Sequence, residues 1–240
     1  MMEENTQQVE MVRAAAHCGV PRAQLLYAQM LLNGHGIAEN RPAAFYWFER
    51  AALGGELMAV NMVGRCLDQG WGVPASQRMA LPWFRKAAER GLDWGMYNLA
   101  TLLLLGEDGI AVDRAEAFLW LQQAVTLGHA KSMNLLGGFY EDGWVIKRDL
   151  MQARTLYRNA ALGGDFRGQF NYARLLLAAG DWLGALHWFR QVPLSATPAF
   201  LAKMRSFLMQ DALPTPIAEF AATLSATNSR SFPQKEHYAC

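Results

Sequence analysis

The sequence has no apolar stretch long enough to form a membrane-spanning helix. Its apolar runs, such as that at Leu102–Leu105, are each a fraction of the roughly 18 residues that a span needs. The first ten residues, MMEENTQQVE, are acidic and polar, whereas a signal peptide begins with a basic segment followed by an apolar one. We therefore predict a cytoplasmic protein that is not inserted into a membrane.

An excess of one charge and a set of paired cysteines are also missing. The 240 residues include 22 Lys and Arg against 21 Asp and Glu, a formal net charge of +1. Nonspecific nucleic-acid binding depends on a basic surface, so no nucleic-acid partner is predicted. Cys18, Cys66 and Cys240 are an odd set at unrelated spacings, which argues against a disulfide framework. The apolar fraction of 52% excludes wholesale disorder and permits a substantial core.

Patterns typical of catalytic and metal sites are absent from the sequence as well. The five histidines have no metal-ligand spacing among themselves or with the cysteines. No Gly-rich phosphate loop precedes a helix, and no serine stands in a nucleophile elbow. We therefore predict no enzymatic activity, no cofactor and no metal site.

What the sequence does contain is an internal repeat. A glycine recurs at intervals of 36 or 37 residues, at Gly19, Gly55, Gly91, Gly128 and Gly164. A small residue follows each of these glycines after four positions, and a second glycine follows the first four of them after fifteen. Later in each copy an alanine precedes two bulky residues, Trp47-Phe48 in the first copy and Trp83-Phe84 in the second. Agreement of spacing and residue type over five copies identifies a repeat protein.

Each copy has the pattern of two helices. In the first copy, apolar residues at helical spacing predict a helix over 21–33, which Gly34 ends. Pro42 suits the first turn of a second helix that runs to about Ala52. Stacking such pairs predicts an all-α fold, a right-handed α-solenoid of antiparallel helix pairs. We expect Trp47 and its counterparts to fill the core, and these are Trp83, Trp120 and Trp188.

The repeat divides the chain into four parts. Residues 1–18 are predicted to form a partial repeat that acts as an N-terminal cap, and residues 19–192 contain the five repeats. Residues 193–225 are predicted to form two closing helices, about 198–210 and 215–225, because a solenoid must cover its apolar end. Residues 226–240 have no periodicity and are predicted to be disordered.

The repeat resembles that of the Sel1-like repeat (SLR) family, which is related to the tetratricopeptide repeat. The resemblance rests on the turn ALGGELMA at 52–59, the loop Gly-x-Gly-Ile at 34–37 and the run Ala-x-x-Trp-Phe-x-x-Ala-Ala at 44–52. It implies a noncatalytic adaptor that binds protein or peptide partners in bacterial signalling, envelope or secretion pathways. One alternative is a dedicated chaperone or docking subunit of one enzyme. Another is the β-lactam-binding hydrolase suggested for cysteine-rich relatives, whose paired cysteines this chain lacks.

The concave face of such a solenoid is lined by the first helix of each repeat. Side chains on these helices that point away from the second helix mix amides, charges and aromatic rings, a composition that suits a protein or peptide groove. The predicted groove residues are Asn61, Arg65, Asp68, Tyr97, Thr101, Asn134, Glu141, Phe170 and Arg174.

Two tryptophans fall outside the core pattern and lie in the loops between the helices of a pair. Trp71 and Trp144 stand beside loop glycines, where exposure is expected. An exposed tryptophan is a favoured anchor for a protein partner. The alternative is that each ring packs against the neighbouring repeat.

Overall fold

The regular spacing of small and apolar residues produces a chain of short helices. The computed structural model describes the backbone of residues 2–209 and 213–226 and the side chains of residues 7–209 and 213–224. All regular secondary structure in these ranges is helical. The all-α prediction is therefore confirmed for the described part of the chain.

Thirteen helices follow one another along the described residues. Those from the second to the tenth are each 13 residues long, as the constant repeat length requires. A 3₁₀ turn at Val192–Leu194 follows the eleventh. The helices are α1 (Met2–His17), α2 (Pro21–Asn33), α3 (Arg41–Leu53), α4 (Leu57–Gln69), α5 (Gln77–Glu89), α6 (Asp93–Leu105), α7 (Arg114–Thr126), α8 (Ala130–Asp142), α9 (Leu150–Leu162), α10 (Phe166–Ala178), α11 (Trp182–Gln191), α12 (Pro198–Leu208) and α13 (Thr215–Ala226).

The helices pack in chain order within two units. The first unit takes the described residues up to Ser132 together with Asp142–Arg148, and the second takes Met133–Glu141 and the described residues from Asp149 onward. In the first unit, every helix from α1 to α6 contacts the one that follows it. In the second, α10 contacts both α9 and α11, and α13 contacts both α11 and α12. Neighbouring helices joined by short connections run antiparallel, so each unit has the predicted stack of helix pairs.

The core of a repeat pairs a small residue on the first helix with a large one on the second. In the second repeat the ring of Phe84 covers Gly64, where a Cβ atom would lie 2.6 Å from Cε1 of that ring. In the fourth repeat Tyr157 covers Gly137 at the same distance. This close approach is possible only because the glycines carry no side chain. The large residues at this position are almost fully buried in every repeat, and they are Phe48, Phe84, Leu121, Tyr157 and Phe189.

The repeat tryptophans are less buried than the sequence predicts. Trp47 is buried, but Trp83, Trp120 and Trp188 are only half-buried. Nε1 of Trp120 donates to Glu116 at 3.1 Å, which holds one edge of the ring beside a polar group. Trp83 and Trp188 nevertheless pack against the core clusters of their units, so their predicted core role holds with partial burial. Consecutive side chains on a helix point about 100° apart, and the residue after each tryptophan takes the direction of the partner helix.

In the first unit, a loop contacts the beginning of the second helix of the preceding repeat. A Cβ atom on Gly72 would lie 2.3 Å from the carbonyl oxygen of Arg41. In the next repeat, Oδ2 of Asp108 accepts hydrogen bonds from Oγ of Ser76 at 2.8 Å and from the amide of Arg78 at 2.9 Å. These hydrogen bonds lower the pKa of the Asp108 carboxyl, and the bond from the amide of Arg78 has the larger effect. The longer loop of the third repeat therefore supplies a cap to α5, which is the second helix of the preceding repeat.

An ion pair also joins second helices of the first unit. Both guanidinium nitrogens of Arg85 on α5 contact the carboxylate of Glu116 on α7, with the Nη2–Oε2 distance at 3.2 Å. The hydrogen bond from Arg85 lowers the pKa of Glu116 and raises that of Arg85. Arg85 thus has a structural role.

The two closing helices lie where the sequence predicts them. Helix α12 begins at Pro198, and Oγ1 of Thr197 accepts from the amide of Phe200 at 3.3 Å. Met204 of α12 and Ile217 of α13 are fully buried in one cluster with Phe189. Apart from its first residue, the tail predicted at 226–240 lies outside the described residues.

Deviations from the repeat pattern have local structural effects. Helix α1 spans Met2–His17, within the residues 1–18 predicted for the N-terminal partial repeat. Pro82 lies inside α5, which continues from residue 77 to residue 89. The fifth repeat turns through Gly180, with a φ of +83°, and Asp181 caps α11 through the amide of Gly184 at 2.9 Å.

Two adjacent glycines of α8 test the small-to-large packing. We predict that Gly137→Ala lowers the free energy of unfolding by about 1–2 kcal/mol, because the new methyl group would overlap the Tyr157 ring. Gly138→Ala should raise it by about 0.5–1 kcal/mol, because the only atom near its Cβ is the Tyr157 hydroxyl at 3.8 Å and alanine favours a helix. Urea denaturation of both variants measures the difference. Equal effects at the two positions would contradict the packing described.

The cap supplied by Asp108 gives a second prediction. Asp108→Ala should lower Tm, because Ser76 and the amide of Arg78 both lose their acceptor. Glu107→Ala is the matched control, since that carboxylate accepts only a long bond of 3.4 Å from Gln77. Thermal denaturation at neutral pH compares the two. A larger loss of Tm for Glu107→Ala would show that Asp108 does not hold the loop.

Candidate functional site

Two of the predicted groove residues are buried. Asn61 is 2% exposed and Asn134 is 7% exposed. Nδ2 of Asn98 donates to Oδ1 of Asn61 at 2.9 Å, and Nδ2 of Asn171 donates to Oδ1 of Asn134 at 2.8 Å. The structure therefore corrects the expectation that Asn61 and Asn134 offer surface amides. They join the first helices of successive repeats, and the recurrence of an asparagine 37 residues later was the sequence signal for this role.

In the second unit, the predicted groove residues contact other parts of the fold. Both carboxylate oxygens of Glu141 accept from Nη2 of Arg174, at 2.8 and 2.6 Å, and one also accepts from the Tyr157 hydroxyl at 2.8 Å. The ring of Phe170 lies 5.5 Å from that of Phe200 and 5.3 Å from that of Phe207, both on α12. Phe170 is half-buried and packs against a closing helix, and its place in the groove stays a prediction.

The first unit keeps four predicted groove residues half-exposed on neighbouring first helices. The Asn98–Asn61 bond places α6 beside α4, which brings Tyr97 and Thr101 next to the helix that carries Arg65 and Asp68. We call Arg65, Asp68, Tyr97 and Thr101 the first-helix patch; all four are half-buried. The Arg65 guanidinium lies 4.9 Å from the centre of the Trp71 ring, and Asp68 accepts from Gln69 at 2.6 Å. The Thr101 hydroxyl donates to the carbonyl of Tyr97 at 2.8 Å. The patch presents a cation, an anion and an aromatic ring side by side.

The two loop tryptophans differ in exposure. Trp71 is half-buried and packs against the core of the first unit, which is the alternative that the sequence left open. Trp144 is 40% exposed, and the guanidinium of Arg114 lies 4.9 Å from its ring centre. Of the two, Trp144 better retains the properties of an exposed anchor.

An aromatic cluster that the sequence pattern does not predict lies next to the first-helix patch. The His129 ring lies 4.7 Å from Trp94 and 5.1 Å from Tyr97, between ring centres. Nζ of Lys131 lies 4.8 Å above the Trp94 ring. Nδ1 of His129 is 2.8 Å from Oγ of Ser132 and accepts from the Ser132 amide at 3.3 Å, so His129 caps the first turn of α8. The sequence signal for this cap was Asp165, which occupies the position equivalent to His129 in the next repeat and caps α10.

Burial determines the charge of His129. The side chain is 6% exposed, and loss of water lowers its pKa to about 4; nearby Asp93 opposes this effect and Lys131 adds to it. A neutral ring is also what the cap requires, because Nδ1 must accept a hydrogen bond.

The side chains of the site can bind a partner by noncovalent contacts. No group of three or more His, Cys, Asp or Glu side chains in the described residues is arranged to hold a metal ion. No helix in that part of the chain has the length and apolarity needed to cross a membrane. Cys18 and Cys66 are free thiols, and burial raises the pKa of Cys66 to about 12. What the site offers a partner is hydrogen bonding, ion pairing and aromatic contact.

The buried histidine predicts a loss of stability in mild acid. In the unfolded chain His129 binds a proton below its ordinary pKa of about 6.5, whereas in the folded chain it does so only near 4. The stabilising contribution of the neutral His129 ring is therefore complete above pH 6.5. As the pH falls to 4, the free energy of unfolding decreases by up to about 3 kcal/mol. His129→Asn keeps a capping oxygen but does not titrate, so the variant should lack this part of the pH dependence. Denaturation of both proteins across this range is the measurement, and identical pH profiles would contradict the assignment.

Two of the proteins to which the chain is similar are regulators. The chain is 25% identical over 210 residues to a chitin synthase regulator of Saccharomyces cerevisiae, covering 82% of this chain and 30% of the regulator. It is 29% identical over 170 residues to an exopolysaccharide production negative regulator of Rhizobium meliloti, covering 65% of this chain and 61% of that protein. The chain thus spans less than two thirds of the length of either relative.

Comparison with solved structures and with family profiles identifies the repeat. A Sel1 repeat protein from Oxalobacter formigenes superposes with a TM-score of 0.74 at 22% identity, over 92% of this chain and 98% of that one, which supports the fold. The profile of the Sel1 repeat matches residues 21–56, 57–92, 95–129 and 130–165, which correspond to the first four of the five predicted repeats. The protein is therefore a member of the Sel1 repeat family.

Proposed function

We propose that the protein is a noncatalytic adaptor that binds a protein or peptide partner through the first helices of its repeats. The observation that carries this proposal is the first-helix patch. Arg65, Asp68, Tyr97 and Thr101 remain half-exposed, while Asn61 on the same face is used inside the fold. Membership of the Sel1 repeat family and the names of the two regulators support a role in protein interaction.

The chemistry of the patch suits an extended peptide. The Arg65 guanidinium presents a planar fork of donors for a carboxylate or for backbone carbonyls, and its stacking on Trp71 limits the orientations it adopts. Tyr97 adds apolar area with a polar tip, and its contact with the buried His129 ring fixes its position. Side chains held in place before binding lose less conformational entropy on binding.

A dedicated docking subunit of one enzyme is the second candidate. The names of both relatives concern polysaccharide production, one a chitin synthase regulator and the other a regulator of exopolysaccharide. A single partner of that class, a polysaccharide synthase or its regulator, would favour this candidate, and several unrelated partners would favour a general adaptor.

The test begins with a pulldown on the full chain and continues with affinities of the purified partner. We predict that Arg65→Ala and Tyr97→Ala each weaken binding by about 1–2 kcal/mol, roughly 5–30-fold. Arg50→Ala and Tyr46→Ala are matched controls, because both residues are exposed on the second helix α3. Tyr46 is 52% exposed.

Two results would contradict the proposal. If the α3 controls abolish binding and the patch variants do not, the partner binds the second-helix face. If the purified chain hydrolyses a β-lactam, and a partner is not found, the noncatalytic role is wrong.

A further inference from the structure

The histidine at position 129 is not explained by the helix cap that it forms. Asp165, at the equivalent position of the next repeat, caps α10 with a carboxylate oxygen, so a cap at this position does not need an aromatic ring. Nδ1 of His129 accepts from the Ser132 amide, so Nε2 carries the ring proton, and this buried N–H has no hydrogen-bond partner among the described residues. A buried donor without an acceptor lowers stability, which indicates a second role for the ring.

The imidazole ring supports two aromatic side chains of α6. Its centre lies 4.7 Å from that of the Trp94 ring, with the two planes at 77°, and 5.1 Å from that of the Tyr97 ring. The Trp94 and Tyr97 rings are themselves 6.2 Å apart, with their planes at 85°. Edge-to-face and tilted contacts at these distances are favourable, so the three rings hold one another in place. His129 is 6% exposed whereas Trp94 and Tyr97 are half-buried, so the histidine supports two rings that a partner can reach.

Trp94 extends the first-helix patch along α6. It precedes Tyr97, a member of the patch, by three residues, so the two side chains lie on one face of the helix. Met58 takes the same repeat position on α4 and is also half-buried. The bond between Asn98 and Asn61 places these two helices side by side. The patch therefore continues toward the N-terminal ends of α4 and α6 with apolar side chains.

The charges beside Trp94 do not favour a charged ligand. Nζ of Lys131 lies 4.8 Å from the centre of the Trp94 ring, so a cation of the chain itself already occupies a face of the indole. Oδ1 of Asp93 accepts from the Trp94 amide at 2.7 Å. Lys131 and Asp93 have opposite charges, and they act on the buried His129 in opposite directions. What the indole offers a partner is therefore uncharged contact, which suits a large apolar side chain.

We propose that Trp94 is a further partner-binding residue, against which an extended segment of the partner places one large apolar side chain. His129 is the positioning residue that holds Trp94 and Tyr97 for this contact, and it does not itself touch the partner. Rings that are fixed before binding lose less conformational entropy when the partner docks. This proposal rests on the adaptor function and adds the kind of side chain that the first-helix patch recognises.

The test uses a phage-displayed library of random peptides selected on the full chain at neutral pH. The peptides enriched most are synthesised, and their affinities are measured by fluorescence anisotropy at a temperature at which every variant is folded. We expect a consensus with one large apolar residue and no preference for charges of one sign, and at least about a tenfold loss of affinity for Trp94→Ala. Trp120→Ala is the matched control, because that tryptophan is also half-buried but lies on the second helix α7. It should leave the affinity unchanged.

Two substitutions of His129 separate its contact with the rings from its cap. His129→Asn keeps a capping oxygen but removes the ring that supports Trp94 and Tyr97, whereas His129→Phe keeps a ring and removes the cap. The asparagine variant should bind the selected peptides several-fold more weakly, and the phenylalanine variant should bind them within about twofold of the unchanged chain. Asp108→Ala is the control for stability, because it removes a cap elsewhere in the same unit. Its affinity should be unchanged, and an equal loss of affinity in Asp108→Ala and His129→Asn would show that His129 has only a structural role.

Four results would overturn the assignment of Trp94. The first is a consensus of charged residues without a large apolar one, and the second is a set of peptides that Trp94→Ala binds with unchanged affinity. The third is a selection in which nothing is enriched above the level seen with the Trp94→Ala protein. The fourth is self-association of the chain that Trp94→Ala abolishes, which would make a second copy the occupant.

The same peptides distinguish this proposal from the adaptor function on which it rests. If they lose affinity with Arg65→Ala and Tyr97→Ala but not with Trp94→Ala, the adaptor function stands and the assignment of Trp94 fails. If all three variants keep the affinity of the unchanged chain, both proposals fail.

Discussion

Close contact between a small residue on one helix and a large residue on its partner is the constraint on which the rest of the structure depends. The contact is tightest where Phe84 covers Gly64 and Tyr157 covers Gly137. The position on the first helix allows only glycine or alanine in all five repeats, because a larger side chain would hold the helices apart. This contact sets the distance between the two helices of a pair. That distance in turn determines where the next pair can pack.

Connections between repeats are made by polar groups placed around that apolar contact. The Asn98–Asn61 and Asn171–Asn134 bonds align successive first helices, and the loop carboxylate of Asp108 caps the helix of the preceding repeat. The buried amides of Asn61 and Asn134 add alignment without offering a partner a surface amide, whereas the exposed Asp108 adds a helix cap. The half-exposed side chains on the first helices are the ones that we propose for binding.

Periodicity predicted the helices, the loops and the repeat family, because each of these depends on residues close together in the chain. It predicted the surface less well. The period identifies the face of a helix on which Asn61 lies, but burial of that residue depends on an asparagine in the next repeat. Phe170 packs against α12, which lies outside the repeated region. His129 was missed because capping by a histidine ring requires burial, and burial is a property of the packed helices.

Hydrogen–deuterium exchange of the chain, alone and with the partner obtained by pulldown, tests directly whether binding uses the first helices. The partner should slow exchange in α4 and α6, while exchange in α3 and α5 stays unchanged. Slower exchange confined to α3 and α5 would contradict this view, because the partner would then lie on the second helices.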